Sequence, residues 1–148
     1  MYQRHTSTES GDAWITEGGA EAFAAMSLRA DASAYVQSTE EKALGQCREF
    51  LKGRSVRDAI AAGTYDAAYS CGMLINLAID SKIRLATKHD GLYAVWRNYR
   101  GRPSNNGSVV STAAYLKAVS DVGDADIAQW VQKAVADQDA NLILGRTN

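Results

Sequence analysis

The stretch Cys71-Gly72-Met73-Leu74-Ile75-Asn76-Leu77-Ala78-Ile79 decides the fold. Wound as a helix it is apolar on every side except at Asn76, and a helix that is apolar all round is normally surrounded by protein. Extended over residues 65–86, it carries Tyr65 and Tyr69 one turn apart on one face at its leading end. Charges return at its trailing end in Asp80, Lys82, Arg84 and Lys88, so a central buried helix is expected to leave towards solvent there.

The flanking segments supply its neighbours. Upstream, Trp14, Ile15, Ala20, Phe23, Ala24, Met26 and Leu28 fit one wide apolar face of a helix that Asp12 can cap. Gly18 and Gly19 each cost that helix about 1 kcal/mol relative to Ala, so they call either for close backbone packing or for an object approaching beside Glu17. Residues 33–51 read as a second helix with Tyr35, Val36, Ala43, Leu44, Cys47, Phe50 and Leu51 inward, and Gln37, Glu40, Glu41, Lys42, Arg48 and Glu49 outward. Ser55 can cap a short helix at 56–62 that Gly63 ends, and Thr64 can cap the central one.

Downstream, Asp90 or Gly91 opens a helix at 92–100 with Leu92, Val95, Trp96 and Tyr99 as its core stripe. The run 101–108 (GRPSNNGS) is the strongest loop signal. Ser111 or Thr112 caps a helix bearing Tyr115, Leu116 and Val119; Gly123 and Asp124 interrupt it, and Ile127, Trp130, Val131, Ala134 and Val135 define the last one. The tail 141–148 is expected to fold back as a short extended piece. A lone proline, abundant alanine and few β-branched alternations make the reading all-α, an irregular bundle of about six to seven helices around the central buried one.

A chain of 148 residues is expected to form a single helical domain over 1–148, with 1–11 a loose N-terminal segment. Sixteen Lys+Arg against 17 Asp+Glu leave a formal net charge of −1, which argues against nucleic acid and acidic membrane surfaces as partners, the small cluster Arg97, Arg100 and Arg102 notwithstanding. Cys47 and Cys71 lie on or near apolar helical faces and are expected to be free, core-packed thiols. No apolar run approaches the roughly 20 residues that span a bilayer, and the polar start has no signal-peptide core. The expectation is a soluble chain with no address in its sequence, its compartment undetermined.

Chemistry-bearing patterns are sparse. The two histidines, His5 and His89, sit in predicted loops without partners and read as surface. No glycine-rich phosphate loop follows a strand. Two oddities remain. Glu17 is a carboxylate on the first turn of an otherwise apolar helix, and Tyr69 stands at the mouth of the buried one. Both have plain structural readings: Glu17 favours the positive end of the helix dipole, and Tyr69 is a core aromatic with its hydroxyl at the rim.

The segment Trp14-Ile15-Thr16-Glu17-Gly18-Gly19-Ala20-Glu21-Ala22-Phe23 resembles the W-x-x-E-G-x-A-x-x-[FY] stretch of gluzincin zinc aminopeptidases, in which the glutamate is the third zinc ligand. Tyr69-Ser70-Cys71-Gly72 resembles the later Y-x-x-G segment, whose tyrosine stabilises the tetrahedral intermediate. Asp80, 11 residues after that tyrosine, with Ile83-Arg84 beyond it, looks most like the glycyl aminopeptidase branch. Residues 92–99 and 123–135 resemble later helices of that branch. The resemblance implies zinc-dependent peptide hydrolysis, with Glu17 as a metal ligand and Tyr69 as a catalytic donor to the oxyanion. It also implies zinc as cofactor of the complete parent protein.

The departures define the expectation further. H-E-x-x-H occurs nowhere in the chain, so two zinc ligands and the general-base glutamate are missing. Gly19, Ala22 and Ser70-Cys71 stand where the family has a bulky residue, an aromatic and an acidic–basic pair. The resemblance thus implies the C-terminal helical portion of such an enzyme, inactive as an isolated chain, whose partner is a missing N-terminal catalytic half or a peptide substrate. The alternative is a non-catalytic helical interaction or scaffold domain derived from that fold, with an exposed docking face able to form a homo-oligomer.

Overall fold

The computed structural model describes residues 12–28, 33–105, 110–136 and Ile143, with only the backbone at 33–36. Among the described residues it is an all-α bundle of seven helices without strands: α1 (Ala13–Leu28), α2 (Ser33–Leu51), α3 (Val56–Ala61), α4 (Asp66–Ala86), α5 (Leu92–Arg100), α6 (Thr112–Val122) and α7 (Ala125–Ala136). A 3-10 turn, Pro103–Asn105, follows α5. The N-terminal segment 1–11 lies outside the described residues, as does the tail apart from Ile143. That residue is helical and fully buried rather than extended.

α4 is the axis of the bundle. Every residue from Ser70 to Asp80 is buried, and α1, α2, α3, α5 and α7 all pack on it. The closest approach is to α1, where two glycines meet. A Cβ on Gly18 would lie 2.8 Å from the Gly72 carbonyl oxygen and closer still to its backbone carbons; one on Gly72 would lie 2.6 Å from the Trp14 carbonyl and 2.9 Å from the Gly18 Cα. Close packing against another backbone is therefore the reason for Gly18. Gly19 is less constrained, its nearest neighbour being the Trp96 ring at 3.8 Å.

Asn76, the polar interruption in α4, ties three helices together. Its Nδ2 donates to the Trp14 carbonyl at 3.1 Å and to the Gly72 carbonyl at 2.8 Å, while its Oδ1 accepts from the Tyr115 hydroxyl of α6 at 2.8 Å. Tyr115 is fully buried among Trp14, Trp96 and Tyr99, with ring centroids at 5.6, 5.3 and 6.4 Å. Burial pushes its phenol far above the ordinary value, and the neighbouring Trp96 N–H opposes this less strongly. Satisfied polar groups at this depth fix one register of α1 and α6 on α4.

Two caps follow the sequence: the Ser55 hydroxyl accepts from the Asp58 N–H at 3.0 Å and Ser111 from Ala114 at 3.2 Å. Asp124, expected only to interrupt, accepts from the Ile127 N–H at 2.8 Å. Thr64 does not cap α4: Tyr65 occupies the N-cap position without a side-chain bond, and the Thr64 hydroxyl accepts from Arg54 at 3.2 Å instead.

Asp80 also departs from expectation. It is 2% exposed and does not belong to the solvated end of the helix. Its Oδ1 accepts the Leu92 N–H at 2.8 Å, capping α5 from another helix, and Arg84 Nε donates to both oxygens at 3.1 and 3.0 Å. Gly91, at φ +63°, makes room for that carboxylate, since a Cβ there would overlap it.

The two cysteines form a Cys47–Cys71 disulfide joining α2 to α4, with Cα atoms 4.9 Å apart, and are not free thiols. Each sits on an inward helical face, as the periodicity indicates. What periodicity does not give is the register of two separate helices, and here it places the two sulfurs opposite one another.

Candidate functional site

Tyr69 and Glu17 each lie within one turn of the Gly18–Gly72 crossing, so the close approach of α1 and α4 brings their backbones together. Tyr69 is not packed into the core. It is 44% exposed at the edge of a cleft of about 440 Å³ between α1, α2 and α4. Glu21 comes to that cleft from α1, Lys42, Gln46 and Phe50 from α2, and Asp66, Ser70 and Met73 from α4. Glu17 is half-buried and does not line it; Glu21, one turn later on the same helical row, does.

The local sequence explains this arrangement. On α1, Trp14, Gly18, Ala22 and Ala25 are buried towards the crossing, which rotates Glu17 and Glu21 to its flank. On α4, burial is continuous from Ser70 onwards, so Tyr65 and Tyr69 are the last side chains of the first turn that can reach solvent on that side. No hydrogen bond or ion pair engages the Glu17 carboxylate among the described residues. It retains its full acceptor capacity.

A catalytic zinc takes three protein ligands and leaves one position for water or substrate. Among the described residues no three His, Cys, Asp or Glu side chains are grouped to hold a metal. One unengaged carboxylate does not fit a catalytic zinc by itself, and no metal-dependent step is assigned to the chain alone. His89 is exposed in the loop after α4, and His5 lies outside the described residues.

Asp80 and Arg84, part of the aminopeptidase-like pattern, are committed to structure. Arg84 also donates to the Asp90 carbonyl at 3.1 Å, so the pair fastens the α4–α5 corner. Two of the three arginines in the basic cluster are likewise engaged in ion pairs. Arg97 pairs with Asp90, whose carboxyl is held below its ordinary value mainly by that hydrogen bond, and Arg102 pairs with Asp121. A larger cleft of about 870 Å³, between the 3-10 turn, α6 and α7, presents Arg102, Lys117, Asn105, Gln129 and Gln132 around alanines and Leu116.

Sequence reasoning missed Glu21, Lys42 and Asp66 as companions of Tyr69. Their signal was available only in part: Glu21 follows Glu17 at helical spacing, whereas Lys42 reaches the cleft through tertiary packing. No helix of the described residues is long and apolar enough to cross a membrane. Compared with protein-family models, curated proteins and solved structures, the chain matches none. The resemblance to zinc aminopeptidases rests on the quoted residues alone.

Proposed function

We propose that this chain is the C-terminal helical portion of a gluzincin-type zinc aminopeptidase, supplying Glu17 as a metal ligand and Tyr69 as an oxyanion donor to a site completed by an N-terminal half bearing H-E-x-x-H. The observation that supports this reading is the glycine-to-glycine crossing, which brings an unengaged carboxylate and a solvent-facing tyrosine to neighbouring turns of two packed helices. A tyrosine hydroxyl held on a rigid helix is preorganised, and removal of one oxyanion donor costs on the order of 100-fold in rate. The part played by the chain is positioning and hydrogen-bond donation; the zinc chemistry depends on the other half. Peptides are the substrate class, and zinc is the cofactor of the completed protein.

The coding sequence upstream of Met1 tests this directly. H-E-x-x-H just upstream, and zinc-dependent release of an N-terminal residue by the longer product, are the expected results. An upstream sequence without that motif sinks the active-enzyme reading.

A non-catalytic interaction module is favoured by a different observation. Leu85, at the trailing end of α4, is 88% exposed beside a shallow cleft lined by Lys82, Ile127 and Trp130, with Lys82 Nζ 4.5 Å from the Trp130 ring centroid. On this reading Leu85, with the apolar wall of that cleft, would anchor a second copy of the chain. Sedimentation of the wild type against Leu85→Lys distinguishes it: this reading expects a dimer that the substitution dissociates, and a monomer in both contradicts self-association.

A further inference from the structure

We infer that the cleft between the 3-10 turn, α6 and α7 binds a small amphiphilic carboxylate, with Lys117 and Arg102 taking the anionic head and the alanines of the two helices taking the hydrocarbon body. This face is built from other helices than the Tyr69 cleft, and the inference does not depend on the aminopeptidase reading.

The cleft is a cavity of about 870 Å³, the size of a small-molecule site. It exists because small side chains face one another where α6 packs on α7, Ala113 and Ala114 on one helix, Ala125 and Ala128 on the other. With Leu116 they leave an apolar trough where larger residues would have closed the seam. On α7 the lining runs from Ala125 to Gln132, a rise of roughly 10 Å, which an extended octyl chain spans.

The rim sets the charge of the occupant. Its two ionised groups, Arg102 and Lys117, are both cationic, and no carboxylate lines the cleft among the described residues. The other two clefts differ, since Glu21 and Asp66 line one and Asp124 and Asp126 the other. Arg102 is held from two sides: its Nε donates to Asn98 Oδ1 at 2.9 Å, and a terminal nitrogen pairs with Asp121. Asp121 offsets the charge of the guanidinium but leaves most of its N–H donors unused, in a fork already oriented for an oxyanion. Lys117 supplies the uncompensated charge, for it makes no hydrogen bond or ion pair among the described residues, and neither do the amides of Gln129 and Gln132. Asn105 fastens the turn to α5 by donating to the Tyr99 carbonyl at 2.8 Å, which keeps its Oδ1 free. A neutral amphiphile leaves these donors unmatched, and a bare inorganic anion leaves the trough wet. A carboxylate on a hydrocarbon body matches both.

Titration of the full chain with octanoate, octanol and octylammonium, followed by amide proton–nitrogen correlation spectra, tests the site. Octanoate should give saturable shifts confined to residues 102–105, α6 and α7, and should bind at least about tenfold tighter than either of the other two. Lys117→Glu should weaken octanoate by about tenfold or more while leaving octanol within about twofold, a split that damage to the fold does not produce. Ala113→Trp, at an exposed position on the cleft wall, should abolish octanoate binding with helical circular dichroism unchanged. The inference is overturned if octanol binds as tightly as octanoate, if the octanoate shifts lie elsewhere, or if they do not saturate at millimolar octanoate. It is equally overturned if either substitution leaves the octanoate affinity unchanged.

Discussion

Substitution of the adjacent glycines Gly18 and Gly19 by alanine should change stability in opposite directions. Ordinary contact for a Cβ begins at 3.4 Å, and one on Gly18 would stand 2.8 Å from the Gly72 carbonyl oxygen and nearer to its backbone carbons. Backbone cannot swing aside as a side chain can, so α1 and α4 must separate by roughly 0.5–1 Å, and overpacking of this kind costs about 1–3 kcal/mol. The separation also stretches the 3.1 Å bond from Asn76 to the Trp14 carbonyl, a loss of about 1 kcal/mol. Alanine returns about 1 kcal/mol of helix propensity, leaving Gly18→Ala destabilised by about 1–3 kcal/mol. For a chain of this size that lowers Tm by roughly 3–10 °C. A Cβ on Gly19 meets only the Trp96 ring at 3.8 Å, so Gly19→Ala keeps the propensity gain and raises Tm by roughly 2–3 °C. Differential scanning calorimetry of the two variants decides the matter. Shifts of the same sign would refute the crossing geometry on which the placement of Glu17 and Tyr69 rests.

Other expectations follow from the buried polar groups. Asn76→Ala strands the Tyr115 hydroxyl, empties the space its own side chain filled and should cost about 3 kcal/mol by urea denaturation, whereas Tyr115→Phe, which leaves only the Asn76 Oδ1 without its donor, should cost about 1–2 kcal/mol. Asp80→Ala leaves the Leu92 N–H without its acceptor and should cost about 3 kcal/mol; Asp80→Asn, which can still accept that bond, should cost about 1 kcal/mol. Burial raises the Tyr115 and Tyr99 phenols above their ordinary value of 10.0. The unfolded chain therefore releases these protons first. The stability contribution is intact below pH 10 and is lost as pH rises above it, so phenolate absorbance from these two rings should appear together with loss of helical circular dichroism.

The fold was legible because its strongest signals are local. The all-round apolar run at 71–79 could only be a central helix, and the stripes carrying Leu92, Val95 and Tyr99, or Ile127, Val131 and Ala134, lie where their periods put them. What escaped was decided between helices. Asp80 reads as the first of a returning set of charges, yet capping α5 required knowing that the Gly91 corner folds over it. Cys47 and Cys71 were each placed on inner faces, but the pairing depends on the relative rotation of α2 and α4, which no single-helix pattern encodes. The candidate site was legible to the same extent. Tyr69 could be placed at the mouth of α4, while its neighbours Glu21 and Lys42 come from two other helices through packing.

The central functional proposal is that Glu17 supplies the third ligand of a zinc site whose other ligands come from an N-terminal half. Zinc content of a product extended upstream through the proposed H-E-x-x-H half, measured by atomic emission on the wild type and on Glu17→Gln, tests it most directly. About one zinc per chain in the wild type, a loss of at least about tenfold in affinity in the variant, and unchanged helical content are predicted. Equal zinc content in the two proteins, or none in either, would contradict the account.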